Sequence, residues 1–272
     1  MKQHQPPIEL LYQIVSLLIA FILVHGFYVT VVRPQAESFL QQEQLLMEQD
    51  DSHVRQRNFF VVVKDFEQEA CLILMLWAGA ILAYKGESVR RQRRLLNNDL
   101  LQLPPALPIG LEDTAQLQAR ITETAGGKGH YLLPRALATA IHRFAATGDV
   151  QDSAAAVGEI CQAEGERLDA ELSIIRYVAW AIPSIGFIGT VRGISAALGE
   201  AHLALKGDIT SVVQYLGVAF NSTFIALIIS IILMFFVHQL QLAQERLVLD
   251  TRQYCNLNFI SRLRKPIHQQ PT

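Results

Sequence analysis

The chain reads as an all-α polytopic membrane protein, with about four transmembrane helices and long cytoplasmic helical extensions. Three observations carry that reading: four separate apolar stretches, a low charge content, and apolar residues that recur at helical spacing between the stretches. Hydrophobic residues fill 51% of the 272 positions, charged residues 18%, and the mean hydropathy is +0.25. Soluble domains carry roughly 25% charged residues, so water is not the only solvent here. The 23 basic and 25 acidic side chains leave a formal charge of -2, and no global basic field points to a nucleic-acid partner. Cys71, Cys161 and Cys255 lie far apart, without the paired spacing of a zinc site or a disulfide framework. They read as small buried apolar groups, and neither a metal nor a cofactor is expected.

Residues 1–32 hold a polar lead and the first span. The apolar run 10–32 has 23 positions, enough at about 1.5 Å per residue to cross a hydrocarbon layer about 30 Å thick. It ends in Thr30-Val31-Val32-Arg33-Pro34, without a small-residue cleavage site, and so reads as an uncleaved anchor. Residues 33–68 are expected to form an acidic periplasmic loop, since four basic and eight acidic residues stand between Arg33 and Glu69. The second span, 69–84, has an apolar core of only 15 positions, 70–84, short of the roughly 17–25 usually needed. It spans if the helix extends through Phe66 and is anchored by Trp77 and Tyr84. Residues 85–175 form a cytoplasmic helical domain, with a proline-rich connection at Pro104, Pro105 and Pro108. Helices are expected over 113–124, 134–146 and 152–175. The last of these feeds into the third span, 176–199; a continuous helix over 152–197 would have 46 residues and a length of about 69 Å. Glu164 interrupts its apolar stripe and marks a place for a break. A short periplasmic loop, 200–211, leads to the fourth span, 212–238, and residues 239–272 form a cytoplasmic helix and tail.

Sidedness follows from basic residues close to the spans. Lys85, Arg90, Arg91, Arg93 and Arg94 follow the second span, and Arg246, Arg252, Arg262, Arg264 and Lys265 follow the fourth, so both segments are expected in the cytoplasm. The first cluster also suits anionic lipid head groups. A three-span layout, with the acidic stretch inside and the N-terminus outside, is the alternative.

The last two spans carry the functional signal. Gly189, Gly193 and Ala197 recur every four residues, with Gly186 close to the same face; Ala219, Ser222, Ala226 and Ser230 make a second small-residue stripe. Such faces let helix backbones approach closely in lipid. Pro183 leaves a carbonyl without its helical donor and bends the helix where a neighbour or water meets that carbonyl. Asn221, Ser222 and Thr223 point in different directions around one helix and serve either as interhelical glue or as a water-contacting path. Arg192, inside an apolar run, must pair, snorkel or face water; Glu200 is too far along the same helix to meet it, so the readings are simple snorkelling to the outer surface or contact with another chain or an aqueous lumen, and Asn221 is a second candidate for such a contact. Neither span holds Asp or Glu in its interior, and Thr and Ser hydroxyls orient water without holding a transferable charge. If protons cross here, the titrating group belongs to another polypeptide.

The segments Pro183-Ser184-Ile185-Gly186-Phe187-Ile188-Gly189-Thr190-Val191-Arg192-Gly193 and Val218-Ala219-Phe220-Asn221-Ser222-Thr223-Phe224-Ile225-Ala226-Leu227 resemble, in order and on adjacent spans, two motifs of the MotA/TolQ/ExbB proton-channel family. The resemblance implies a homo-pentamer in the bacterial inner membrane around two copies of a MotB/TolR/ExbD-like single-span protein. That partner would carry the membrane aspartate. Thr190 and Thr223 match the threonines that face it, and Ser222 matches a looser hydroxyl position. The ion is expected to be H+, with Na+ compatible with the same hydroxyls. Where Arg192 stands, TolQ-like and ExbB-like sequences often have Trp.

A non-conducting scaffold that uses the small-residue stripes only for assembly is the competing reading; a permease would need paired half-repeats that are not evident. An enzyme is not expected: Ala125-Gly126-Gly127-Lys128-Gly129 lacks the spacing of a phosphate loop and no apolar strand precedes it. His25, His130, His142, His202 and His238 show no ligand spacing.

Overall fold

The structure, a computed structural model, describes residues 6–49, 58–97, 100–101 and 108–264. These residues are α-helical with short 3-10 and π turns, and among them the extended pairing is a single bridge between Ile109 and Leu263. In chain order the helices are α1 (Pro6–Phe27), α2 (Arg33–Gln49), α3 (Phe59–Val63), α4 (Phe66–Leu96), α5 (Thr114–Ala125), α6 (Leu132–Thr147), α7 (Val150–Glu171), α8 (Ser173–Gly199), α9 (Ala201–Ala204) and α10 (Thr210–Asn258). Four stretches are long and apolar enough to cross a membrane: Leu10–Leu46, Phe66–Leu96, Val150–Gly199 and Thr210–Arg262. The protein is therefore read as a multi-pass membrane protein, and the short second stretch reaches spanning length because its helix begins at Phe66 and runs on to Leu96.

Two compact units divide the chain, one from Met1–Ala83 with Ile174–Val237, the other from Tyr84–Ser173 with His238–Thr272. In the first, α1 runs through a π turn at Tyr28–Val32 into α2. Pro34 accounts for the turn: its ring cannot donate to the Thr30 carbonyl and would clash with it, so the helix widens just before it and Arg33 N–H donates to the Tyr28 carbonyl. The stretch 33–68, expected as a loop, thus carries α2 and α3; residues 50–57 lie outside the described residues. Asn58 caps α3 by accepting from the Phe60 N–H at 2.8 Å. α1 is tied to α4 by Tyr12 Oη donating to the Ala80 carbonyl (3.1 Å) and Trp77 Nε1 donating to the Gln13 carbonyl (2.9 Å). Many large apolar side chains of α1, α8 and α10 remain exposed, as a lipid-facing or assembly surface requires.

The second unit is built on α5, α6 and α7. Its core joins Leu100, Leu117, Leu137, Ile141, Val157 and Phe259, among others, with Cys161 and Cys255 buried in the same cluster. α5, α6 and α7 stand close to the expected positions. α6 ends at Gly148, whose φ of 66° suits a glycine C-cap, and Asp149 caps α7 by accepting from the Gln151 N–H at 2.7 Å. Of the expected proline connection, Pro104 and Pro105 lie outside the described residues. The glycine-rich segment after α5 forms one 3-10 turn, Gly126–Lys128.

Of the two alternatives for 152–197, a continuous helix or one with a break, the structure has a break, but not at Glu164. That carboxylate, 2% exposed, is held by Arg135 at 2.8 Å and Arg167 at 2.7 Å, so the helix carries it without breaking. The break falls at Leu172, whose N–H turns back to the Asp169 carbonyl in a tightened final turn.

Candidate ion pathway

Within the first unit α8 and α10 pack through their small residues. A Cβ on Gly186 would stand 2.5 Å from the Ala226 Cβ, one on Gly189 2.6 Å from the Ser222 Cβ, and one on Gly193 2.7 Å from the Ala219 Cβ. The two stripes read from the sequence therefore face one another. Ala197 is buried as well. Pro183 cannot donate to the carbonyl four residues earlier, Ala179, and Ser230 Oγ donates to that carbonyl instead, at 2.9 Å. Ser230 is thus more than a small packing residue.

The close approach brings Thr190 and Thr223 together. Their hydroxyls hydrogen-bond to each other. Thr223 Oγ1 also lies 2.9 Å from the Gly186 carbonyl, and Thr190 Oγ1 lies 3.3 Å from the same carbonyl and 3.1 Å from that of Ala219. Each hydroxyl has one hydrogen, so two donors share more acceptors than they can satisfy at once and the pair can be rewired by rotating O–H bonds. Both residues are half-buried. Ser222 behaves differently. It is 1% exposed and turned toward α4, where Gln68 Nε2 donates to it at 3.4 Å. Asn221 is half-buried on a third side of α10.

Arg192 has its partner within the chain. Glu67, on the first turn of α4, binds its guanidinium through both oxygens at 2.7 and 2.9 Å. The Arg192 side chain is 51% exposed and that of Glu67 10%. The sequence reading leaves this partner out because Glu67 falls in the stretch expected as a loop, just before the second span. One turn face over, Glu69 is 6% exposed and receives Arg33 on one oxygen and His25 Nδ1 on the other, both at 2.6 Å; Arg33 also stands 4.7 Å over the Phe66 ring. These acids favour the N-terminal turn of α4, where the helix dipole is positive. Asp65, just before the helix, has its carboxyl pushed above the ordinary value by burial, against the opposing pull of Lys64 and Arg192. Gln68, Glu67 and Glu69 were absent from the sequence-derived site; their only signal was a polar turn adjoining an apolar run that seemed too short.

With α8 and α10 packed through glycines around a threonine pair, and no acidic residue within the spans 176–199 and 212–238, comparison with known proteins adds a likeness. Residues 130–253 match the MotA/TolQ/ExbB proton channel family. The family match covers the whole of α6, α7, α8 and α9, and α10 through residue 253, and so includes Pro183, Thr190, Ser222 and Thr223; the helices from α1 to α5 precede it. No curated protein and no solved structure matches the chain. The family is described as one of proton channels, which agrees with the sequence reading of a chain that is not an enzyme. Among the described residues no group of three or more His, Cys, Asp or Glu is placed to hold a metal ion.

Proposed function

We propose that this chain is the proton-conducting subunit of an ion-driven motor or energiser complex of the bacterial inner membrane, with Thr190 and Thr223 lining the ion path. The observation that carries this reading is the mutually bonded threonine pair on two spans whose interiors hold no acidic residue, inside the segment that matches a proton channel family. Hydroxyls of this kind orient water and accept or donate hydrogen bonds, but a titrating group must come from elsewhere. The natural source is the membrane aspartate of a MotB/TolR/ExbD-like single-span partner. Five copies of the present chain would surround two such helices, using exposed apolar faces of α8 and α10 for assembly. Each proton crossing delivers about 2.3 kcal/mol per 100 mV, several times thermal energy, which can be drawn on for mechanical work. In this arrangement both termini, residues 85–175 and residues 239–272 lie in the cytoplasm, and 33–68 and 200–211 lie outside. Na+ remains compatible with the same hydroxyls.

The second reading, a non-conducting scaffold, is supported by the glycine contacts, which would serve assembly alone. The two readings part at the complex itself. Purification on a tag of this chain, followed by mass measurement of the intact assembly, is expected to give five copies with two of a single-span protein bearing a membrane carboxylate. A ring without such a partner supports the scaffold and contradicts the proposal.

A further inference from the structure

Gln68 is 1% exposed on the first turn of α4. Its Nε2 lies 3.1 Å from the Val62 carbonyl and 3.4 Å from Ser222 Oγ. A carbonyl oxygen only accepts, so the amide atom facing Val62 must be nitrogen and the orientation of the amide is determined. Ser222 directs its own hydrogen to the Val218 carbonyl at 3.0 Å, and it therefore accepts from Gln68. Both hydrogens of the amide are thereby used, while Oε1 is buried with no protein donor.

Two further atoms of the same unit share that condition: Tyr28 Oη, on a residue 0% exposed, and Asp65 Oδ2. Among the described residues the buried side-chain polar atoms without a partner are these three and Gln244 Nε2 of the other unit, so they concentrate around the connection between α3 and α4. Tyr28 packs in one cluster with Val63, Gln68 reaches the Val62 carbonyl, and Asp65 follows two residues after Val63. One hydroxyl and two acceptor oxygens form a complementary set. A buried polar atom left unpaired costs on the order of 1–3 kcal/mol, and the usual remedy is ordered water with two to four polar partners.

We infer that Tyr28 Oη, Asp65 Oδ2 and Gln68 Oε1 bound an internal hydration site that supplies water, and the protons it carries, to Ser222 and the neighbouring threonine pair. The supply role rests on the proton-conducting reading; the hydration site itself does not. Glycine at 189 lets Ser222 pack against α8 beside this turn, since a Cβ there would stand 2.8 Å from Ser222 Oγ and 3.1 Å from Glu67 Cγ. Transfer along the chain of waters leaves side-chain charges unchanged: each water accepts a proton from one neighbour and releases another to the next. Gln68 and Tyr28 act as positioning residues.

Radiolytic hydroxyl labelling of the full chain in lipid nanodiscs, read by mass spectrometry, tests hydration directly, because radicals form on bound water beside the residue they mark. Tyr28 is expected to label well above Phe144, which is equally buried in the apolar core of the other unit, and the labelling is expected to fall in Gln68→Leu. Equal labelling of Tyr28 and Phe144 overturns the site. Proton uptake by vesicles holding the complex tests supply: Gln68→Leu and the milder Tyr28→Phe are each expected to slow it about tenfold, equivalent to about 1.4 kcal/mol in the barrier. Uptake at the wild-type rate in both variants overturns the supply role. Thr190→Val, measured beside them, separates the two proposals: if it leaves uptake intact, the threonine pathway falls and labelling alone judges the hydration site.

Discussion

Asp65 carries a consequence that can be measured at a single residue. Its folded-state carboxyl titrates above the ordinary range because burial disfavours the charged form. Between the ordinary and the raised value the folded protein binds more protons than the unfolded chain, so this group makes stability rise as pH falls through that window and level off below it. Asp65→Asn is expected to raise the melting temperature at neutral pH and to flatten its dependence on pH just above the ordinary carboxylate range. A melting temperature that drops at pH 7 would show that the ionised carboxylate stabilises the fold. The sequence displayed Thr190, Thr223 and Arg192 because each is a polar residue standing in an apolar run. It did not display the partners. Glu67 lies 125 positions from Arg192 and Ser230 lies 51 from Ala179, separations at which only the packing of helices brings groups together.

At the scale of helices, the glycines of α8 divide into two kinds of contact. The Cβ of Ala226 is the nearest obstacle to a side chain at Gly186, at 2.5 Å, with the α10 backbone at 3.1 Å, whereas at Gly193 the Ala219 backbone itself stands at 2.9 Å. Gly186→Ala and Gly193→Ala are each expected to destabilise by about 1–3 kcal/mol through overpacking. Ala226→Gly should restore most of the first loss, and Ala219→Gly only part of the second. Thermal unfolding of the purified variants checks this, and equal rescue at both sites would contradict the contact geometry. The small-residue spacing was legible as a helix face from sequence periodicity alone. The interruption at Leu172 was not, because the apolar pattern runs through it; Glu164, which looked like the breaker, is neutralised by two guanidiniums from positions 135 and 167. The extension of α4 to Phe66 was open in the sequence, but the pairing of its first turn was not: Glu67 meets Arg192, Glu69 meets Arg33 and His25, and Gln68 meets Ser222.

For the molecule as a whole, four apolar stretches were foreseeable from hydropathy, while the helical character of 33–49 was not, because its acidic composition resembles that of a loop. The proposed sidedness makes a direct prediction. Cys71, Cys161 and Cys255 are buried, so a membrane-impermeant thiol reagent reports on introduced cysteines. Asp208→Cys is expected to react from the outside of intact cells and Arg94→Cys only after the membrane is opened; the reverse pattern would invert the topology. Conduction is the central claim, and proton uptake into sealed vesicles holding the purified complex, driven by an imposed pH step, tests it most directly. The account predicts uptake that falls to background in the Thr190→Val/Thr223→Val double variant and persists in Thr190→Ser/Thr223→Ser, with the assembly intact in both. Uptake at the wild-type rate in the double valine variant would contradict it.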